Sequence, residues 1–273
     1  MFQNESAAES AAESAPALHL ELFNTRVTPL TAPQVNLQIE GFLKASDPKV
    51  SVVANHNLHS LYVHEVDPRF RRFYEDADLV LIDGFPVLLS AAAAQRKSGR
   101  SSLSSAHRVG SLDWVMDVGN IPGVQRVALV GSSPHSNEIA ARLINESHEH
   151  LEVRGWHGSE WNTGRAAKVV DELAEFQPQV TFVALGMPLQ EHFISEYRAQ
   201  LTPGVYATVG GALDQIAGVQ KAAPRWLGKF GLEWLWRLAT QPNRLFHRYV
   251  IEPWHLALLV VIRNFKQRTG RRN

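Results

Sequence analysis

The chain is 273 residues long, 45% hydrophobic and free of cysteine, which allows a sizeable buried core and excludes a disulfide framework and cysteine-based metal sites. Its 27 basic and 27 acidic residues cancel to a formal net charge of zero, so the whole-molecule field exerts no general pull on nucleic acid, and anions must be bound by local patches. Residues 1–16, MFQNESAAESAAESAP, have neither a basic n-region nor an apolar h-region, so a disordered acidic tail on a cytoplasmic protein is expected rather than a secretory signal.

Leu18-His-Leu-Glu-Leu-Phe23 alternates with period two and predicts a strand, and Thr31 three residues before Gln34 predicts a helix start with a capping box. Five short apolar runs follow, at 50–54, 79–82, 127–130, 180–184 and 205–209, each leading through polar or glycine residues into a helical pattern. Strands that are apolar throughout, alternating with helices, belong to a parallel sheet covered on both faces. The expected fold is therefore α/β, a Rossmann-like doubly wound, mostly parallel sheet over residues 17–221, with ligands beyond the carboxyl ends of its strands. From 222 to 273 the pattern becomes helical and rich in tryptophan and arginine, and a C-terminal helical appendage is expected there.

The candidate site residues follow the predicted strands. Asn55 and Asn57 come after the first; neighbouring His56 and His59 have no carboxylate framework and are not expected to hold a metal. Asp83 before Gly84 reads either as a rim carboxylate able to take a proton or as the cap of the next helix. Arg108 could clamp a diphosphate through two parallel hydrogen bonds or be a solvated loop cation, and Asp113 reads as a base or a helix-terminus aspartate. Gly131-Ser-Ser-Pro134 is equally a phosphate-binding turn and a plain βα turn. Gly186-Met-Pro188-Leu-Gln190-Glu191 opens a helix at the rim, and Gly210-Gly211 with Asp214 suits ribose hydroxyls or a base edge. Trp156 reads as a structural tryptophan. In the appendage, Arg237, Arg244 and Arg248 share one face if the helix is continuous, which Pro242 opposes. Trp234, Trp236, Phe246, Tyr249 and Trp254 suit a bilayer interface, although a core helix closing the domain is an alternative. The apolar run 256–262 is far shorter than the ~20 residues that span a membrane.

The ordered series Ile82-Asp83-Gly84, His107-Arg108-Val-Gly-Ser-Leu-Asp113, Ala184-Leu-Gly-Met-Pro-Leu-Gln190-Glu191-His192, Thr208-Val-Gly-Gly211-Ala-Leu-Asp214-Gln-Ile-Ala-Gly218, Ala223-Pro224 and Gly231-Leu-Glu-Trp-Leu-Trp-Arg237 with Pro242-Asn-Arg244 resembles the WecG/TagA/CpsF glycosyltransferase family over roughly residues 18–250. The resemblance implies inverting transfer from a UDP-sugar to a polyprenyl-diphosphate-linked sugar in bacterial envelope or exopolysaccharide synthesis. It implies Asp83 as base, Arg108 as diphosphate clamp, Gln190 and Glu191 at the nucleotide site, and an appendage that docks on the inner membrane and supplies Arg237, Arg244 and Arg248. The family's Thr-x-Asn segment is altered here: its threonine falls on Asn55 if Asn57 matches the asparagine, or on Val53 if Asn55 does. No Asp-x-Asp metal pair is expected in the chain, so catalysis is expected to need no metal or other cofactor, with arginines and helix N-termini taking that charge. The fold alone also suits a NAD-dependent oxidoreductase, which would require a glycine fingerprint with an acidic residue ~20 positions later. The altered segment keeps a non-catalytic nucleotide-sugar-binding protein open, and an oligomer is compatible with the sequence.

Overall fold

The computed structural model describes residues 16–220 and 233–270, with the side chains of Glu233, Arg244 and residues 267–270 excepted. The tail expected over 1–16 lies almost wholly outside the described residues, as do the start of the appendage at 222 and Pro224.

The first strand is shorter than its alternation predicts. β1 (Leu18–Leu20) turns back at once and pairs antiparallel with β2 (Thr25–Val27), Leu18 opposite Val27, in a separate two-stranded sheet. α1 (Ala32–Leu43) begins where its capping box predicts, the Gln34 side chain accepting the Thr31 amide at 2.9 Å.

The main sheet has six strands, all parallel: β3 (Val50–His56), β4 (Leu79–Ile82), β5 (Arg126–Gly131), β6 (Glu152–Trp156), β7 (Val180–Ala184) and β8 (Gly204–Thr208), in the order β4-β3-β8-β7-β5-β6. Five occupy the predicted apolar runs. β3 continues two residues further than expected, so Asn55 lies within the strand and only Asn57 follows it. The sixth strand, β6, went unpredicted because it is an edge strand with exposed Glu152 and Arg154 and therefore has no apolar run.

Alternate residues of one strand enter opposite cores. Val52, Ala54, Val80 and Ile82 join Phe70, Tyr74 and Leu173 on one face, while Val53, Leu79 and Leu81 join Trp114, Leu129, Ile144 and Phe182 on the other. Each such large apolar side chain contributes about 1.5–3 kcal/mol by leaving water. The first face is covered by α2 (Leu58–Val66), α3 (Pro68–Asp76) and α4 (Phe85–Lys97); α1 and the single turn α5 (Leu112–Val115) cover the second. Further along, α6 (Pro134–Ser147) lies on the second face, α7 (Thr163–Phe176) and α8 (Leu189–Tyr197) on the first, and α9 (Ala212–Ile216) on the second. The crossovers obey one hand: β3→β4, β6→β7 and β7→β8 step the same way across the first face, and β5→β6 steps the opposite way across the second. Connections thus diverge between neighbouring β5 and β7, which opens a crevice at their carboxyl ends.

The described appendage is α10 (Glu233–Thr240), α11 (Pro242–Phe246), a π-helical turn (His247–Ile251) and α12 (Glu252–Gly270). Helix breaks at Gln241, with Pro242 opening the next segment, so the three appendage arginines sit on successive pieces rather than one helix. Leu256 and Val260 of α12 enter the first core beside Leu61 of α2. Among the described residues, no helix is long and apolar enough to cross a membrane.

Candidate active site

Where β3 ends, Asn57 becomes the N-cap of α2. Its Oδ1 accepts the Ser60 amide at 3.1 Å, which leaves its Nδ2 to donate to Asp83 Oδ2 at 3.1 Å. Asp83 is the first residue after β4, and its amide and that of Gly84 both donate to the His56 carbonyl, at 3.0 and 3.2 Å. Gly84 permits this closeness, since a Cβ there would stand 3.1 Å from Asn57 Cα. The cap of α4 is Gly84 itself, with no side chain capping it. The half-buried Asp83 carboxylate is therefore not consumed by the helix. Asn55 is buried and donates to Ser111 Oγ at 3.0 Å.

The segment carrying Arg108 is clipped to the same rim, because the Val109 amide donates to the Ile82 carbonyl at 2.7 Å. Arg108 follows a 3-10 turn at Ser105–His107 and is half-buried. A Cβ on Gly110 would lie 3.2 Å from Asp83 Oδ1, so this backbone forms one wall around that carboxylate. Asp113 accepts the Gly110 amide at 2.8 Å, the local aspartate role foreseen as its second reading.

The crevice between β5 and β7 holds the remaining rim residues. Gly131 has φ +117°, and a Cβ there would lie 2.4 Å from the Ala184 carbonyl carbon, so only glycine lets the two strand ends meet. Ser132 then takes φ +60° and donates its hydroxyl to Asp214 Oδ1 at 2.5 Å, tying the turn after β5 to α9. Ser133 caps α6, with Pro134 in its first turn. Gly186, at φ +81°, offers its carbonyl to the Gln190 amide at 3.0 Å. The Gly210 amide donates to Gln190 Oε1 at 3.2 Å, and Gly211 precedes α9. Gln190 and Glu191 are both 0% exposed, so they stand behind the rim and reach a ligand only through the backbone they hold. Gln190 Nε2 donates to Glu191 Oε1 at 2.8 Å, whereas Glu191 Oε2 is buried without a hydrogen-bond partner among the described residues. Burial pushes the Glu191 carboxyl up to about 8.

A polar cluster that the sequence did not disclose supports the rim from beneath. His56 stacks on Tyr74 at 4.0 Å between ring centroids and bridges Thr25 Oγ1 (3.0 Å) and Ser60 Oγ (2.9 Å). Tyr74 donates to the Asn55 carbonyl at 2.8 Å. Burial, reinforced by nearby His64, holds His56 well below the usual histidine range, and burial raises the Tyr74 hydroxyl, with Glu191 and Asp83 adding to the rise. Trp156 is structural, donating to Glu172 at 2.6 Å.

The appendage brings one cation, Arg248, within electrostatic reach of this rim. Arg248, in the π turn, buries its Nε without a hydrogen-bond partner among the described residues. Burial draws its guanidinium below the ordinary arginine value and Arg237 adds to that, while Tyr249, Glu252 and Asp83 oppose it. Arg248 therefore lies in the electrostatic field of both Arg237 and Asp83. Arg237 is half-buried on α10, and the Arg244 side chain lies outside the described residues. One Asp-x-Asp does occur, Asp76-Ala77-Asp78, contrary to the expectation that such a pair would be missing. It precedes the amino end of β4, away from the rim, and Asp78 is occupied by Lys49 Nζ at 2.6 Å and the Val52 amide at 2.9 Å.

The family described as "Glycosyl transferase WecG/TagA/CpsF family" matches residues 20–270. The chain is similar to N-acetylglucosaminyldiphosphoundecaprenol N-acetyl-beta-D-mannosaminyltransferases from three bacteria. It is 27% identical over 203 residues to that of Bacillus spizizenii, covering 74% of this chain and 72% of the relative. With the Bacillus subtilis protein it is 30% identical over 142 residues, 52% of this chain and 55% of the relative. A Staphylococcus aureus relative is 26% identical over 197 residues, 70% of this chain and 77% of the relative.

Proposed function

Since the chain belongs to the WecG/TagA/CpsF glycosyltransferase family, we propose that it transfers a sugar from a UDP-sugar, with inversion, to a polyprenyl-diphosphate-linked sugar. N-acetylmannosamine as the donor sugar and N-acetylglucosaminyl-diphosphoundecaprenol as the acceptor are the first pair to test, by similarity to the relatives' names. The observation that carries this is a half-buried carboxylate, Asp83, oriented by Asn57 in the field of the appendage guanidinium of Arg248.

Asp83 accepts the proton of the acceptor hydroxyl as that oxygen attacks the anomeric carbon and the bond to UDP breaks. Asn57 Nδ2 fixes which carboxylate oxygen remains open for this. Arg108, Arg237 and Arg248, with Arg244 from the same appendage, take the charge growing on the departing diphosphate, which lets the transfer run without a metal. The nucleotide lies in the crevice between β5 and β7, over Gly131, Gly186, Gly210 and Gly211, with the Ser132–Asp214 pair presenting a carboxylate oxygen to the ribose or uracil.

α12 exposes Trp254, Leu258, Val261, Ile262 and Phe265, a stripe at helical spacing opposite its buried Leu256 and Val260. This face attaches the enzyme peripherally to the cytoplasmic leaflet of the inner membrane, where a lipid-linked acceptor resides. The test is a panel of UDP-sugars offered with lipid-linked monosaccharides, scored by UDP release and product mass. Transfer with inversion is the expected result. Binding of UDP-sugar without turnover across the panel would instead leave a nucleotide-sugar-binding protein.

A further inference from the structure

His59 and Glu252 are 193 positions apart in sequence and adjacent in space, and neither belongs to the proposed site. Glu252 opens α12 and is only 7% exposed, yet His59 Nδ1 lies 2.5 Å from its Oε2 and His247 Nδ1 3.4 Å from its Oε1. A carboxylate this buried is costly unless paired, so its neighbours have to stay. Burial raises the Glu252 carboxyl, but His59, then His247 and Arg248, outweigh burial and hold it below its usual range.

The location of the pair gives it a role. His59 is in the first turn of α2, two residues after Asn57, which holds Asp83. Glu252 follows the π turn that carries Arg248, and its amide closes that turn on the His247 carbonyl. A π turn holds one residue more than the α-helical turn it replaces, and such insertions alter the direction in which the turn's side chains project. One short hydrogen bond therefore joins the short segment that orients the base to the short segment that presents the cation. We propose that His59 and Glu252 are positioning residues that hold the appendage arginine Arg248 in register with Asp83. The pair touches no substrate and acts through Asn57 on one side and the π turn on the other. This rests on the assignment of Asp83 and Arg248 to the reacting site.

α12 has other anchors, Leu256 and Val260 in the core and the ion pair of Arg263 with Glu65. Losing the His59–Glu252 pair should therefore loosen the register of Arg248 without undocking the helix.

The test uses the full chain, with UDP as the binding probe and the transfer assay where a donor is found. Glu252→Gln and His59→Gln should each weaken UDP binding about tenfold and lower kcat by a similar factor, the loss expected when one charge-assisted contact is misaligned. Hydrogen exchange over residues 254–264 should be unchanged. The exchange variant carrying both His59→Glu and Glu252→His restores an opposite-charge pair and should recover UDP affinity to within about threefold, a recovery that a merely structural contribution of either residue would not give. Single variants with unchanged UDP affinity and kcat overturn the proposal, as does an exchange variant no better than the singles. Loss of exchange protection along α12 would show that the pair docks the helix rather than sets its register, and that too overturns it. Asp83→Asn serves as the control: full turnover in that variant defeats the site assignment, whereas an inactive Asp83→Asn beside a fully active Glu252→Gln defeats the pair alone.

Discussion

Asp83 at the rim and Glu191 behind it are two carboxylates with opposite surroundings. Asp83 is half-buried with a donor from Asn57 and an arginine in its field, so an aspartate-to-asparagine change keeps its shape while removing its charge and its capacity to accept a proton. Asp83→Asn should leave UDP affinity intact and lower turnover by roughly 10²–10⁴; near-wild-type turnover at saturating donor and acceptor would dismiss it as the base. Glu191 is fully buried, and burial pushes its carboxyl up to about 8. Its folded state keeps the proton that the unfolded chain releases near 4.5, so its contribution to stability is complete below about 4.5 and is lost as pH rises to about 8. The loss amounts to about 1.4 kcal/mol per pH unit across that window. Glu191→Gln should therefore melt increasingly above wild type as pH rises from 5 to 9, by several degrees at the upper end; melting curves that fall in parallel would show that Glu191 does not titrate there. At this scale the sequence disclosed residues that follow strands, because a strand's apolar run announces its end. It could not disclose His56 with Tyr74, or His59 with Glu252, whose partners are brought together only by the fold.

Helices and strands were legible to the degree that burial made them periodic. The strands β3, β4, β5, β7 and β8 are buried on both faces and were found within two residues, whereas β6, with exposed Glu152 and Arg154, and the three-residue β2 offered no such run. The seven-residue apolar run in α12 read as one block, but the helix divides it, Leu256 and Val260 entering the core and Leu258, Val261 and Ile262 facing out. Because Trp254, Val261 and Phe265 are 76%, 64% and 67% exposed, Trp254→Glu combined with Val261→Glu and Phe265→Glu should leave the melting temperature nearly unchanged. The same variant should lose most of its sedimentation with anionic phospholipid vesicles at a salt concentration that retains the wild type. Trp254 is 76% exposed, and co-sedimentation that survives its replacement with the other two would remove α12 as the membrane contact.

The whole molecule assembles its proposed site from the ends of five strands together with an appendage from the far end of the chain. On the proposed reading its arginines take the charge of the leaving diphosphate that a metal would otherwise offset, so transfer should persist in EDTA at the rate of untreated enzyme. Loss of activity on chelation, restored by added magnesium or manganese, would mean that the arginines do not suffice. The doubly wound class was visible in the alternation of runs and helices, but the strand order was not, since periodicity carries no information about which strand lies beside which. That order has a consequence for synthesis. The strand the ribosome releases last, β8 (Gly204–Thr208), lies in the middle of the sheet between β3 and β7. A nascent chain stopped at residue 200 would hold two half-sheets, β4-β3 and β7-β5-β6, each with a long apolar edge awaiting the same absent partner. Until those five residues emerge, such a chain lacks the strand that joins its two half-sheets and has every reason to pair with another like itself, which makes the interval before β8 leaves the ribosome the point at which a chaperone is most needed.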